Sequence, residues 1–295
     1  MCAARRDALE RIVIVGRGRV GGSMASAARS AGLDVRVVAG RTSRRIPLAE
    51  LVVLCVPDGA ILDVASRLRD VAPGTGAVVH TAGVLGPDHL APMRANGWRV
   101  GQAHPLAAIA TRRTPLLGAS ILAGGDALAT RRASSLARRV GMRLIVLPGL
   151  DRRLWHAIAA LVANGASTLA SLGAKAWIDA GVPAPWAHAA LAGLLRSVAF
   201  NVGALGTPDA LTGPVRRGDA AAVERHFDVL RETADAGNVV RLYASLALGQ
   251  IDLARTLGEA DSASLTQIAQ AAERALNDAT EPKTARSRAR IRRVP

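Results

Sequence analysis

Short apolar and β-branched runs alternate with alanine-rich stretches over the first half of the chain. Seven of them, at residues 11–15, 35–39, 51–56, 77–80, 98–103, 119–123 and 142–147, predict strands. The helical stretches between the runs predict a parallel sheet with right-handed crossovers. Beyond residue 150 the β-rich runs stop. Val223, Phe227, Leu230 and Ala234 fall on one helical face at i, i+4, i+7 and i+11, while Gly181 with Pro183, and Gly206 with Pro208, punctuate the helices. The pattern predicts an α/β domain at 10–149, an all-α domain at 150–279 and a basic tail at 280–295.

One stretch tests a membrane reading. From 154 to 174 there is no Asp, Glu, Lys or Arg, but alanine dominates the apolar content, and His156, Asn164, Ser167, Thr168 and Ser171 interrupt it. Transfer to lipid would gain little there while each polar group costs. The expectation is a buried central helix of a soluble domain, with no membrane partner.

Charge raises a different possibility. The 295 residues carry 38 Lys plus Arg against 23 Asp plus Glu, a net +15, which invites nucleic acid. Only Lys175 and Lys283 are lysines, however, and the one dense basic block is the tail 281–295, with six basic residues and one acid. Such a block reads as a disordered, solvated end. The remaining charge is scattered, and seven aromatics in the whole chain offer little base stacking, so nucleic acid is not the expected partner. Cys55 lies in an apolar run and Cys2 on a terminus, so no disulfide is expected. With no apolar leader at the N-terminus, the expected location is the cytoplasm.

The strongest motif is Gly16-x-Gly18-x-x-Gly21, directly after the first strand and opening a helix that begins with Arg19 and Val20. In a dinucleotide site the first glycine makes the turn, the second admits the pyrophosphate and the third lets helix pack on strand. The helix start then offers N–H groups and positive potential to the phosphates. After the second strand the chain reads Gly40-Arg41-Thr42-Ser43-Arg44, with no acid to hold a ribose 2′-hydroxyl. Guanidinium and hydroxyl groups at Arg41, Thr42, Ser43 and Arg44 suit a 2′-phosphate, which favours NADP over NAD. Val56, Pro57 and Asp58 close the third strand beneath the cofactor, with Asp58 also placed to cap the next helix.

Several further motifs occur in order: Leu54-Cys-Val-Pro-Asp58, His80-Thr-Ala-Gly83, His104-Pro-Leu106, Trp155-His156 with Asn164, and Leu211-Thr-Gly-Pro214 before Arg217-Gly-Asp219. Together over residues 11–275 they resemble Rossmann-like oxidoreductases with a C-terminal domain of unknown function, family 2520. These lie within the superfamily of pyrroline-5-carboxylate reductases and 6-phosphogluconate dehydrogenases. The resemblance implies an NADP-binding Rossmann domain and a helical domain that helps close the cleft and mediates a homodimer. A deazaflavin coenzyme enters only by distant resemblance. The family favours Ser where Ala82 stands and Tyr where Trp155 stands, so no proton relay passes through those positions here.

Hydride transfer to or from a nicotinamide needs a proton donor or acceptor beside the substrate. His104, after the strand 98–103, is expected at the carboxyl edge of the sheet, as proton donor or orienter; the rival role is fixing a loop. His80 and Thr81 end the preceding strand and either line the same cleft or tie down the turn. His156 and Asn164 lie eight residues apart on one helix, about 80° apart around its axis, so both can border a cleft. Thr212 and Arg217 are candidate substrate contacts, and Asp219 an N-cap. The six histidines have no paired metal-ligand spacing, so no metal is expected. The expected activity is NADP-dependent transfer of a hydride to or from a small carbonyl, imine or hydroxy acid. A dinucleotide-binding sensor or assembly module is the alternative.

Overall fold

A computed structural model describes residues 9–42, 45–68 and 76–280. Ser43, Arg44 and the basic tail lie outside them. Within them the chain runs β1 (Arg11–Val15), α1 (Arg19–Ser30), β2 (Asp34–Val38), β3 (Leu51–Leu54), α2 (Ile61–Leu68), β4 (Ala77–His80), α3 (Ala91–Ala95), β5 (Arg99–Leu106), β6 (Ser120–Gly125), α4 (Ala127–Arg139) and β7 (Arg143–Ile145). The helices α5 (Arg152–Asp179), α6 (Ala184–Leu205), α7 (Ala220–Arg231), α8 (Ala236–Leu257) and α9 (Ser262–Thr280) follow. Two compact units divide between Asn164 and Gly165, inside α5, beyond the residue-149 boundary read from the sequence.

The strands form one sheet in the order β2-β1-β3-β4-β5-β6-β7. From β2 to β5 all neighbours are parallel. Both faces are covered: Ile12, Ile14, Val53 and Val79 pack with Met24 and Ala28 of α1 and Leu136 of α4. On the other face Val13, Val15, Val52 and Val78 pack with Ile61 and Leu68 of α2 and Met93 of α3. The chain leaves β1 in one direction for β2 and in the other for β3, which opens a crevice at their carboxyl ends.

The all-parallel expectation fails at β6, which runs antiparallel to β5, with β7 parallel to β6. No helix intervenes between β5 and β6, and a strand that returns without a crossover pairs antiparallel. The same pairing moves His104. Parallel pairing with β4 stops at Gln102, but β6 continues opposite Ala103 to Leu106, so His104 lies inside β5 rather than after it.

In the second unit, Val223 and Phe227 of α7 meet Ala244 and Ile251 of α8 and Ile268 and Ala272 of α9 in one core. Asp219 caps α7, its Oδ1 accepting from the Ala222 N–H at 2.9 Å. Leu230 packs on that core, but α7 ends at Arg231 and Ala234 is exposed, because the helix stops before its fourth turn. The stretch 154–174 is not the buried central helix expected: α5 buries Ala174 alone, and α6 buries Ala187 alone. Both helices are long and apolar enough to cross a membrane.

Candidate functional site

At the end of β1, Gly16 adopts φ +122° and donates its N–H to the Val38 carbonyl at 2.9 Å. A Cβ there would run into the carbonyl oxygen of Cys55, which follows β3. At Gly21 a Cβ would strike the carbonyl of Gly16, so the helix packs on its own turn only with glycine. Gly18 differs: nothing lies within 4 Å of where its Cβ would stand, and it precedes α1 without a side-chain cap. Open backbone and an uncapped helix start are what a pyrophosphate requires, and the turn fits a dinucleotide. Arg19 is exposed and Val20 half-buried on the first turn.

After β2, Arg41 and Thr42 lie exposed in a turn. Arg67 of α2 reaches the same turn, its Nη2 donating to the Gly40 carbonyl at 2.8 Å. That cation was not picked out from the sequence, where it looks like any other arginine. Val56 is half-buried, Pro57 and Asp58 are exposed, and the short helical turn that Asp58 opens has no side-chain cap. Burial pushes the Cys55 thiol up to about 12, which disfavours the thiolate.

The carboxyl ends of β3, β4 and β5 are tied in series. Thr81 N–H donates to the Leu54 carbonyl at 3.1 Å, and the Thr81 carbonyl accepts from His104 Nδ1 at 2.9 Å. A carbonyl only accepts, so Nδ1 carries the proton and Nε2 keeps a bare lone pair. Burial lowers the His104 pKa and the neighbouring His156 lowers it further, against the opposing effect of the Thr81 carbonyl. His104 is therefore a neutral proton acceptor around pH 7; donating from Nε2 needs a second proton. The His156 ring lies edge-on to it, centroids 5.6 Å apart. Gly83 passes between them: a Cβ there would strike His156 Nδ1 and come within 3.0 Å of His104 Cε1.

His80 does not line a cleft. It is wholly buried, and its Nε2 donates to the Gly86 carbonyl at 3.0 Å, fastening the turn after β4. Burial lowers its pKa and Nδ1 has no partner. Asn164 is exposed two turns along α5 from His156. Thr212 and Arg217 are exposed residues of the second unit, and the neighbouring Arg216 is structural, gripping Glu259 at 2.6 and 2.8 Å.

Sequence reasoning passed over Gln102 and Arg152. Gln102 is 1% exposed; its Nε2 donates to the Ala82 carbonyl at 2.6 Å and the Gly83 carbonyl at 3.2 Å, and its Oε1 accepts from Arg152 Nε at 2.6 Å. A glutamine inside the apolar stretch 98–103 was a visible signal, since a buried polar side chain must find partners. Among described residues no three His, Cys, Asp or Glu cluster as metal ligands.

Residues 119–249 match the family model "Domain of unknown function (DUF2520)". That match begins within the sheet, at the threshold of β6, and ends in α8, so the DUF2520 segment includes the antiparallel strand that lengthens β5. Around the DUF2520 match the fold is shared with solved oxidoreductases. A candidate NADP oxidoreductase from Bacteroides fragilis is 17% identical, covering 82% of this chain and 98% of its own, with a TM-score of 0.63. Plasmodium falciparum pyrroline carboxylate reductase with NADP bound is 11% identical, covering 93% and 99%, with a TM-score of 0.55. The 1-pyrroline-5-carboxylate reductase of Streptococcus pyogenes is 17% identical, covering 85% and 99%, also at 0.55. No curated protein matches the chain. These likenesses establish a Rossmann-like α/β fold followed by helices.

Proposed function

We propose that this protein is a cytoplasmic NADP-dependent oxidoreductase acting on a small carbonyl, imine or hydroxy-acid substrate. The observation that carries the reading is the hydrogen-bonded series from Leu54 through Thr81 to His104, which puts a neutral imidazole on the same strand ends that border the open Gly16-Gly18-Gly21 turn. Gly18 and the first turn of α1 would hold the pyrophosphate, and Arg41, supported by Arg67, the 2′-phosphate. When bound, the nicotinamide supplies or accepts the hydride. His104 then takes the proton from a hydroxyl or amine being oxidised, and in the reducing direction it returns a proton only after gaining one. Fluorescence titration tests the reading: NADPH binds and NADH binds more weakly, with Arg41→Glu narrowing that difference about tenfold or more. Equal binding of the two overturns the phosphate assignment. Binding without turnover across oxo acids, cyclic imines and hydroxy acids favours a sensor.

A second copy of the chain is the proposed occupant of the open α5–α6 face. The 22-residue α6 buries one residue while Trp186 and Phe200 stand 73% exposed, and a helix of mixed propensity has little stability without packing. Arg196, Ser197 and Asn201 in mid-helix disfavour lipid, whereas a self-complementary face satisfies apolar and polar groups together.

A further inference from the structure

The β5–β6–β7 end of the sheet holds a cavity of about 220 Å³, lined among others by Gln102, Leu122, Gly124 and the segment 146–150. Its one charged lining residue is Arg152, at the start of α5, and no acid lines it. Arg152 has no carboxylate partner among described residues. The neighbouring Asp151 carboxylate is occupied elsewhere, accepting from the backbone N–H groups of Arg153 and Leu154 at 2.9 and 3.4 Å.

The guanidinium is held, not loose. Its Nε donates at 2.6 Å to Gln102 Oε1, and Gln102 is itself buried and clamped to the Ala82 and Gly83 carbonyls. That fixes the fork from behind. Its Nη2 lies over Gly124, a wall of the cavity, 3.8 Å from where a Cβ on that glycine would stand. Arg152 is half-buried, its Nε is fixed by a buried amide, and it lines a partly open space without an acid, an arrangement suited to receiving an anion on the remaining guanidinium donors.

We propose that Arg152 is the binding residue for the carboxylate of a small acidic substrate, with Gln102 as its positioning residue. The proposal rests on the oxidoreductase reading, whose substrate class it narrows to carboxylic acids. One guanidinium matches one carboxylate in charge and in paired donor geometry. A phosphate dianion would call for more than the single cation lining this space. Gln102 also joins the two halves of the site. Its amide fixes the Ala82–Gly83 turn that runs between His104 and His156, so the group that orients the anion binder also holds the backbone against the imidazole pair.

The test uses the full-length protein and a series of two- to five-carbon 2-oxo acids, their methyl esters and inorganic phosphate, read by saturation-transfer NMR and calorimetry. NADPH affinity is measured on the same samples. The expected result is binding of at least one 2-oxo acid and not its ester, weakened at least thirtyfold in Arg152→Gln. NADPH affinity and the far-ultraviolet circular dichroism stay unchanged. Arg152→Lys, which keeps the charge but loses the Gln102 bond and the fork, falls in between and guards against misfolding of the first variant. Arg153→Gln, one residue along and exposed, leaves binding intact. Oxo-acid binding that is absent from the wild type, unchanged in Arg152→Gln, or equalled by the esters overturns the proposal, as does phosphate displacing every acid. Loss of NADPH binding by the wild type would instead strike the cofactor reading.

Discussion

The sheet and the α5–α6 hairpin treat apolar side chains in opposite ways. In β3 every residue from Leu51 to Leu54 is fully buried, whereas in α6 only Ala187 is, although both segments are strongly apolar. The sheet satisfies itself within one chain: helices close both its faces, and at Gly16 and Gly21 a single methyl group would collide with backbone. The hairpin leaves its apolar surface open. Apolar composition therefore announces burial without saying whether the covering surface belongs to the same chain.

The sharpest break between the regions comes from one methyl group. Gly16→Ala adds strain at φ +122° and a clash with the Cys55 carbonyl, and is expected to cost several kcal/mol and to abolish NADPH binding, as read by chemical denaturation and fluorescence. Gly18→Val, where the space is open, should leave the unfolding transition in place and still block the cofactor. If Gly18→Val binds NADPH normally, the turn is not the cradle.

Charge placed on the hairpin should do the converse. Leu194→Glu with Phe200→Glu touches no buried residue, so the monomer's unfolding temperature should hold while self-association falls by about a hundredfold or more in sedimentation equilibrium. The same glutamate at Leu54 would unfold the sheet. A wild type that is monomeric at all concentrations, or that partitions into lipid vesicles, rules out the second copy.

His104→Ala probes chemistry rather than packing. Turnover should fall about 10²- to 10⁴-fold with NADPH affinity retained, since removal of a positioned acid–base group typically costs that much. In the oxidising direction the wild-type rate should decline only as pH drops below the ordinary histidine value of 6.5, because burial holds His104 neutral above it. A rate that instead rises on acidification would assign His104 the donor role.

These contrasts bear on what the residues disclosed before the fold was known. The five parallel strands, the glycine turn and the Asp219 cap were legible, because each depends on local pattern: continuous apolar runs, a motif at fixed spacing, a side chain three residues from the amide it caps. The position of His104 was not, since it depends on β6 returning antiparallel from a distance in sequence to lengthen β5. Arg152 was hidden among 36 arginines, and only its bond to a buried glutamine sets it apart. The exposure of α5 was illegible for a different reason. Residues 154–174 would read identically whether their cover came from this chain or another.

His80 gives the smallest effect and separates the buried sheet from the open hairpin by pH. Its folded-state pKa is lowered by burial, so the unfolded chain takes up the proton first as pH falls. Its contribution to stability is complete above the unfolded value of 6.5 and is lost as pH falls from there toward the depressed folded value. Thermal unfolding of the sheet unit should therefore weaken on acidification from pH 7 to 5. His80→Gln, which can keep a donor toward the Gly86 carbonyl but cannot titrate, should flatten that slope. His188 of α6 is exposed, and its replacement by Gln should leave the slope alone. An unchanged pH slope in His80→Gln would mean that protonation elsewhere in the sheet unit, with His104 the next candidate, governs its acid sensitivity.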